Sequence, residues 1–368
     1  MRGEKLQWGK PQYPVGMARS HFTLAALATA AVPGADIVST RPITTQQSGR
    51  FDSAVLGLRD GGTLIIRIPT SQDAELEQSG DLVALNALTA GFRARLPFTV
   101  PTVKGQAPVG DTRAVVYEFI PGTPFSLAGL DPRGGLTEAI GASIAAIHSL
   151  PTSVVTDSGL AFTSAADAAR ATRAVKDRAA ATGVVPVDLL TRWSIALEDS
   201  ALWQYQPTVI HGALAPEAFL VSGEVVTGVT SWAGLRVGDP AADLYWLSSA
   251  PDEQTATRIF GSYNVARNGP VDRQLRKRAR LYAELEIAKW LLHGLGVRDQ
   301  GIIADATTML EGLSASVGAD LMNPLSTDTG QIMAIEEVEE MLSHTPRNAT
   351  GPQSASEHVN SANRISED

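Results

Sequence analysis

Residues 208–247 constrain the fold more than any other stretch. Thr208-Val209-Ile210 leads up to a His211-Gly212 loop. Phe219–Val221 and Val225–Val229 are short β-rich runs joined at Ser222-Gly223-Glu224, which predicts a hairpin. Behind it Gly238-Asp239-Pro240 stops the chain, and Pro240 with the alanines that follow predicts the start of a helix. The unit is therefore loop, hairpin, loop.

A length of 368 residues allows two lobes with ample material for a core. The net charge of −9 argues against nucleic acid or an anionic membrane as partner. The absence of cysteine excludes a disulfide framework and any thiolate ligand or nucleophile, and fits a cytoplasmic protein. No apolar run approaches the roughly 20 residues of a membrane-spanning helix. The nearest, Phe22–Val32, follows Arg2, Lys5, Lys10 and Arg19 and so has the outline of a signal peptide. Leu24, Leu27 and Val32 share one face and Pro33-Gly34 ends the run, which instead predicts a helix.

The rest of the chain divides by composition and periodicity. Residues 1–20 read as a flexible arm. Ala54–Leu58 and Leu64–Ile68 flank Asp60-Gly61-Gly62, a strong hairpin signal. Arg67 interrupts the second of these runs, so it either faces solvent or points at something anionic. A helix over about 72–90 carries Leu76, Val83, Leu85 and Leu88, with Asp81 among them. Ala114–Ile120 reads as a strand ending at Pro121-Gly122, and Leu136–Leu150 as a helix closed by Pro151. His148, near that helix's end, is expected as a helix-end cation or a packed residue. Residues 160–203, 253–268, 271–296 and 299–317 read as helical. Residues 325–368 hold eight acids against two arginines, a net of −6 out of the chain's −9, and read as a disordered acidic tail. Within it Gln331–Leu342 has Ile332, Ile335, Val338 and Leu342 on one side, so it is either a docking segment for a protein partner or idle tail.

The 208–247 stretch resembles the catalytic core of the aminoglycoside and macrolide phosphotransferases, small-molecule kinases with a protein-kinase-like fold. That family carries a His-Gly-Asp loop, an Asn five residues after the Asp, a hairpin, an Asp before a Trp, and Gly-Asp-Pro-x-x-Asp-Leu. His211, Gly212, Trp232, Gly238, Asp239, Pro240, Asp243 and Leu244 match in identity and spacing. Arg67-Ile68-Pro69 and Arg95-Leu96-Pro97-Phe98-Thr99-Val100-Pro101 resemble the macrolide branch. The Arg-Ala-x-Leu-Tyr run at 278–282, ahead of Trp290, resembles the family's C-terminal helices.

The resemblance implies an α+β, bilobal fold. A small antiparallel lobe over 21–122 would be followed by a mostly helical lobe over 123–320. It places Arg67 on the ATP phosphates and Asp81 where a Glu pairs with that basic residue. It places Glu118, Phe119 and Ile120 at the hinge, where backbone groups bond adenine. His211 braces the loop by a hydrogen bond, and Asp239 and Asp243 are structural. Three positions depart from the pattern. The catalytic Asp is Ala213, and the two metal ligands are Ala218 and Ser231.

Phosphoryl transfer needs positioning plus electrostatic stabilisation, with Mg²⁺ bridging the phosphates. Mg²⁺ takes oxygen ligands, usually one or two carboxylates. Alanine offers none and serine one neutral hydroxyl. The sequence thus implies a pseudokinase-like member with impaired catalysis, which acts by binding a nucleotide, a small molecule or a partner. ATP is expected to bind weakly, and Mg²⁺ to add little. The competing reading is an active ATP-dependent small-molecule O-phosphotransferase, of macrolide or aminoglycoside type, that uses displaced metal ligands. A third is an interaction protein whose pocket is closed.

Overall fold

A computed structural model of the protein describes residues 19–43, 49–267, 269–270 and 272–317. Most of the expected arm, the last residues of the 123–320 segment, the acidic tail and its 331–342 segment lie outside the described residues.

The N-terminal part is a five-stranded antiparallel sheet in the order β1-β2-β3-β5-β4. Its strands are β1 (Ile37–Pro42), β2 (Phe51–Leu58), β3 (Thr63–Pro69), β4 (Val103–Val109) and β5 (Thr112–Glu118). The chain enters it through α1 (His21–Ala31), whose N-cap Ser20 accepts from the Thr23 N–H. Leu24, Ala28 and Ala31 lie at i, i+4 and i+7 and are buried on the sheet. The sheet answers with Leu64, Ile66 and Ile68 of β3 and Ala114 and Val116 of β5. The intervening residues of β5, Val115 and Tyr117, belong to the second and larger core. Strand periodicity thus buries β5 on both faces. Arg67 pairs in register with Ser53 and Val115. By the same alternation it projects from the face away from α1.

Across that other face runs α2 (Gln72–Ala87), capped by Ser71, with Asp73 and Glu75 in its first turn. A short α3 (Ala90–Arg93) follows. Arg93 there donates to the carbonyls of Leu85, Leu88, Val100 and Pro101, which ties the α2–β4 connection together.

The C-terminal part is mainly helical: α4 (Gly135–His148), α5 (Ser153–Thr156), α6 (Ala165–Ala180), α7 (Val187–Glu198), α8 (Glu253–Arg267), α9 (Leu275–Val297) and α10 (Gln300–Val317). Helix α4 packs closely on α8 because Gly141 has no side chain; a Cβ there would lie 2.5 Å from the Ile259 carbonyl oxygen. Helix α9 runs through the core. Its fully buried Glu284 accepts from the Arg192 Nε and Nη2 and from the Trp193 Nε1 of α7. Between α7 and α8 lie β6 (Thr208–Ile210) paired with β9 (Arg236–Gly238), and β7 (Phe219–Ser222) paired with β8 (Val225–Val229). The β7–β8 pair is the hairpin that the sequence predicts, with Gly223 at φ +59° in its turn. Pro240–Asp243 forms a short 3-10 helix rather than an α-helix, with Asp239 at its N-cap accepting from the Ala241 N–H.

Candidate functional site

Two loops meet above the hairpin, and Asp243 joins them. Its Oδ2 accepts from the His211 backbone N–H (2.7 Å) and its Oδ1 from that of Gly212 (2.7 Å). His148 Nε2 lies 3.1 Å from Oδ2, and His148 Nδ1 lies 2.9 Å from the Tyr263 hydroxyl. His211, Asp243, His148 and Tyr263 are all buried. Burial alone would raise the Asp243 carboxyl, but the hydrogen bond and charge of His148 and the neighbouring N–H groups outweigh it and hold it below the ordinary value. Burial pushes the Tyr263 hydroxyl upward, so it keeps its proton. Of the two expected roles His148 takes that of a packed residue, a buried link between α4, α8 and the loop.

His211 is wholly buried, its ring tilted against that of Trp232 with 4.7 Å between centroids. Its Nε2 donates to the Thr230 carbonyl at 2.9 Å, joining the first loop to the segment ahead of Ser231. Burial depresses its basicity, against the pull of Asp243, so the ring is held in its neutral form. Asp239 sits one turn away. It caps Ala241 and accepts from Arg278 Nε (2.8 Å) and from the Tyr282 hydroxyl (2.8 Å), both on α9.

The three departing positions lie on this frame. Ala213 is exposed at the tip of the first loop. Ala218 is buried, and its carbonyl is engaged by the Thr230 N–H at 2.8 Å. Ser231 sits in the left-handed region at φ 66°, ψ 50°. Among the described residues no group of three or more His, Cys, Asp or Glu side chains gathers as a metal ligand set. One methyl, one engaged carbonyl and one hydroxyl do not fit Mg²⁺, which requires near-octahedral oxygen ligation.

Asp81 reaches across from α2. Its Oδ1 accepts from the Trp232 backbone N–H at 2.7 Å, and the Tyr117 hydroxyl lies 3.5 Å from Oδ2. Burial raises its carboxyl, and the nearby charge of Arg67 opposes that. The expected Arg67–Asp81 contact is not formed. The Arg67 guanidinium instead lies over the Phe51 ring, 4.0 Å from its centroid. Aspartate is one methylene shorter than glutamate, and Asp81 is already engaged by the loop.

At the hinge, Glu118 points outward and pairs with Lys104 at 2.8 Å. Phe119 N–H donates to the Thr63 carbonyl (3.1 Å). The Ile120 N–H and the Phe119 and Ile120 carbonyls make no hydrogen bond to a described residue. Thr123 exchanges both backbone bonds with Val221, which ties the hinge to β7. Sequence reasoning missed Arg236 of β9. Its Nη1 donates to the Gly234 carbonyl (2.9 Å) and the Gly212 carbonyl (3.3 Å). The signal available was the one applied to Arg67, a lone cation within a short β-run.

The family model described as "Phosphotransferase enzyme family" matches residues 44–282. The macrolide 2'-phosphotransferase MphH from Brachybacterium faecium superposes with a TM-score of 0.65 at 22% identity, over 78% of this chain and 97% of that one. The GDP complex of wild-type aminoglycoside 2'-phosphotransferase-IIIa superposes at 0.63 and 17% identity, over 80% and 98%. These likenesses establish an α+β kinase-like fold. An uncharacterized Bacillus subtilis (strain 168) protein, YcbJ, is 31% identical over 83 residues, 22% of this chain and 27% of that protein's length. Among the described residues no helix is long and apolar enough to cross a membrane.

Proposed function

The chain belongs to the phosphotransferase enzyme family, and we propose that within it this protein binds a ligand in the kinase cleft with phosphoryl transfer severely impaired. One observation carries the reading. The loop frame is bonded together through Asp243 and His211, while the positions at which the family pattern sets its chemistry are Ala213, Ala218 and Ser231. Loss of a single positioned proton acceptor costs about 10²–10⁴ in rate. Losses within one catalytic unit need not add.

The ligand we favour is a nucleotide or a small molecule with an anionic group. Arg67 offers a cation beside Asp81, and the Ile120 N–H with the Phe119 and Ile120 carbonyls offers the edge an adenine would meet. The solved relatives include GDP and ADP complexes, which supports the nucleotide half of the proposal. Neither Glu217 nor Asp239 is placed to replace the missing groups: Glu217 is adjacent to Ala218, so its side chain departs in another direction, and Asp239 is consumed by Arg278 and Tyr282.

The test is calorimetric titration with ATP, with and without Mg²⁺, on wild type and on Ala213→Asp/Ala218→Asn/Ser231→Asp. Wild type should bind equally in both conditions and show negligible turnover. The triple variant should gain Mg²⁺-dependent binding. Robust Mg²⁺-dependent phosphorylation of any small molecule by the unmodified protein would falsify this reading in favour of an active enzyme with displaced ligands.

A further inference from the structure

Arg236 is a cation from whose surroundings the counter-charges are missing. One nitrogen, Nη1, is pinned by the carbonyls of Gly212 and Gly234. Those carbonyls belong to the residue before Ala213 and to the turn that follows Ser231. The guanidinium thus bridges the two loops that carry positions 213 and 231. It lies so close to the first loop that a Cβ at Gly212 would be 2.2 Å from Nη1, so the glycine makes room for it. Its Nε and Nη2 donate to no described residue, and among the described residues no carboxylate forms an ion pair with it. The residue is half-buried. A partly desolvated charge is costly without compensation.

We propose that Arg236 is a phosphate-binding residue, holding a phosphoryl group directly and without metal. In the family pattern an Asn and an Asp hold a metal and the metal holds the phosphates. Here those ligands are Ala218 and Ser231, and a guanidinium held at one nitrogen lies against the two loops instead. Its planar fork matches phosphate oxygens, and guanidinium–phosphate contacts are charge-assisted and frequently bidentate. The proposal rests on the reading of a cleft stripped of metal ligands, and names the chemistry that cleft takes.

The experiment is titration of the full-length protein with pyrophosphate, and separately with ADP, in EDTA. Arg236→Lys and Arg236→Gln are compared with wild type, and thermal melting reports folding. Wild type should bind pyrophosphate. Arg236→Gln keeps a donor for the two carbonyls and should bind at least about tenfold more weakly. Arg236→Lys keeps the charge but not the fork, should lie between them, and decides the matter if the Gln variant does not fold. ADP binding much tighter than pyrophosphate identifies a nucleotide as source of the phosphate. Equal binding identifies the phosphoryl group of some other molecule. No pyrophosphate binding by wild type, or equal binding by wild type and the Lys and Gln variants, overturns the proposal. Turnover with Mg²⁺ would overturn the impaired-enzyme reading instead, so the two failures are distinct.

Discussion

The His211–Ser231 region contains two populations of residues that differ in what holds them in place. His211 and Asp243 are buried, the Asp243 carboxylate accepts from the His211 and Gly212 backbone N–H groups, and His148 and Tyr263 lie behind it. Ala213, a single residue further on, is exposed. Ser231 carries its backbone through the left-handed region, yet the residue after it is held by Asp81. The first population answers to folding. Removing any of those groups leaves buried donors unpaired, so the fold itself retains them. The second answers to chemistry alone, and nothing in the packing requires a carboxylate at 213 or an amide at 218. On the proposed reading, relaxation of catalytic function would remove the second population without touching the first. That difference explains how a frame can match its family while its reactive groups do not.

The sharpest way to break this comparison is to exchange the two fates. Asp243→Ala should strand the His211 and Gly212 N–H groups and His148, and cost about 3–5 kcal/mol by analogy with breaking a buried ion pair. Ala213→Asp, at an exposed position, should change stability by no more than about 0.5 kcal/mol. Urea unfolding of both variants measures this. A nearly neutral Asp243→Ala would show that the loop is held by something other than the carboxylate.

The same division explains what the sequence alone could tell. The β7–β8 hairpin was legible because Gly223 and the β-branched residues around it specify it locally. Strand β4 was not, because Val103–Val109 contains Gly105 and Pro108, both unfavourable in a strand. It forms as a sheet edge, where proline is tolerated, and Gly105 is required because a Cβ there would lie 1.9 Å from the Ala31 carbonyl oxygen of α1. That requirement comes from a helix some 70 residues away. The site shows the same limit. Residue identities at 213, 218 and 231 could be read directly against the family pattern. The stacking of Arg67 on Phe51, the seating of Asp81 on Trp232 and the part of His148 in the Asp243 network depend on side-chain directions fixed only by packing.

A smaller effect sharpens the comparison by pH. His211 is depressed by burial, so its folded-state value lies below the unfolded one of about 6.5. Between the two values the unfolded chain binds the extra proton, so stability rises with pH there and falls on acidification below about 6.5. The contribution of one such group is at most about 1.4 kcal/mol per pH unit within that window. The Asp243 carboxyl is also depressed, but its contribution is lost only lower, as pH falls below the ordinary carboxylate value of about 4. Unfolding free energies at about pH 7.5 and 5.5 should therefore differ more in wild type than in His211→Gln. Identical differences in the two proteins would mean that His211 does not carry the acid sensitivity of the frame.

The smallest effect is expected at Ser231, where the two populations touch. A left-handed conformation costs an ordinary residue about 1–2 kcal/mol, and Asp and Asn adopt it more readily because their short polar side chains bond locally. The backbone at φ 66° is thus still shaped for the residue type that the family pattern places there. Ser231→Asp should leave the fold unchanged and stabilise it by a few tenths of a kcal/mol, roughly 1 °C in a thermal melt for a chain of this size. Ser231→Val should do the opposite, since a β-branched side chain is least tolerated at positive φ. If Asp lowered the melting temperature as much as Val, the loop would have been remodelled around serine. The conformation at 231 would then belong to the present binding function and not to a catalytic position whose side chain has changed.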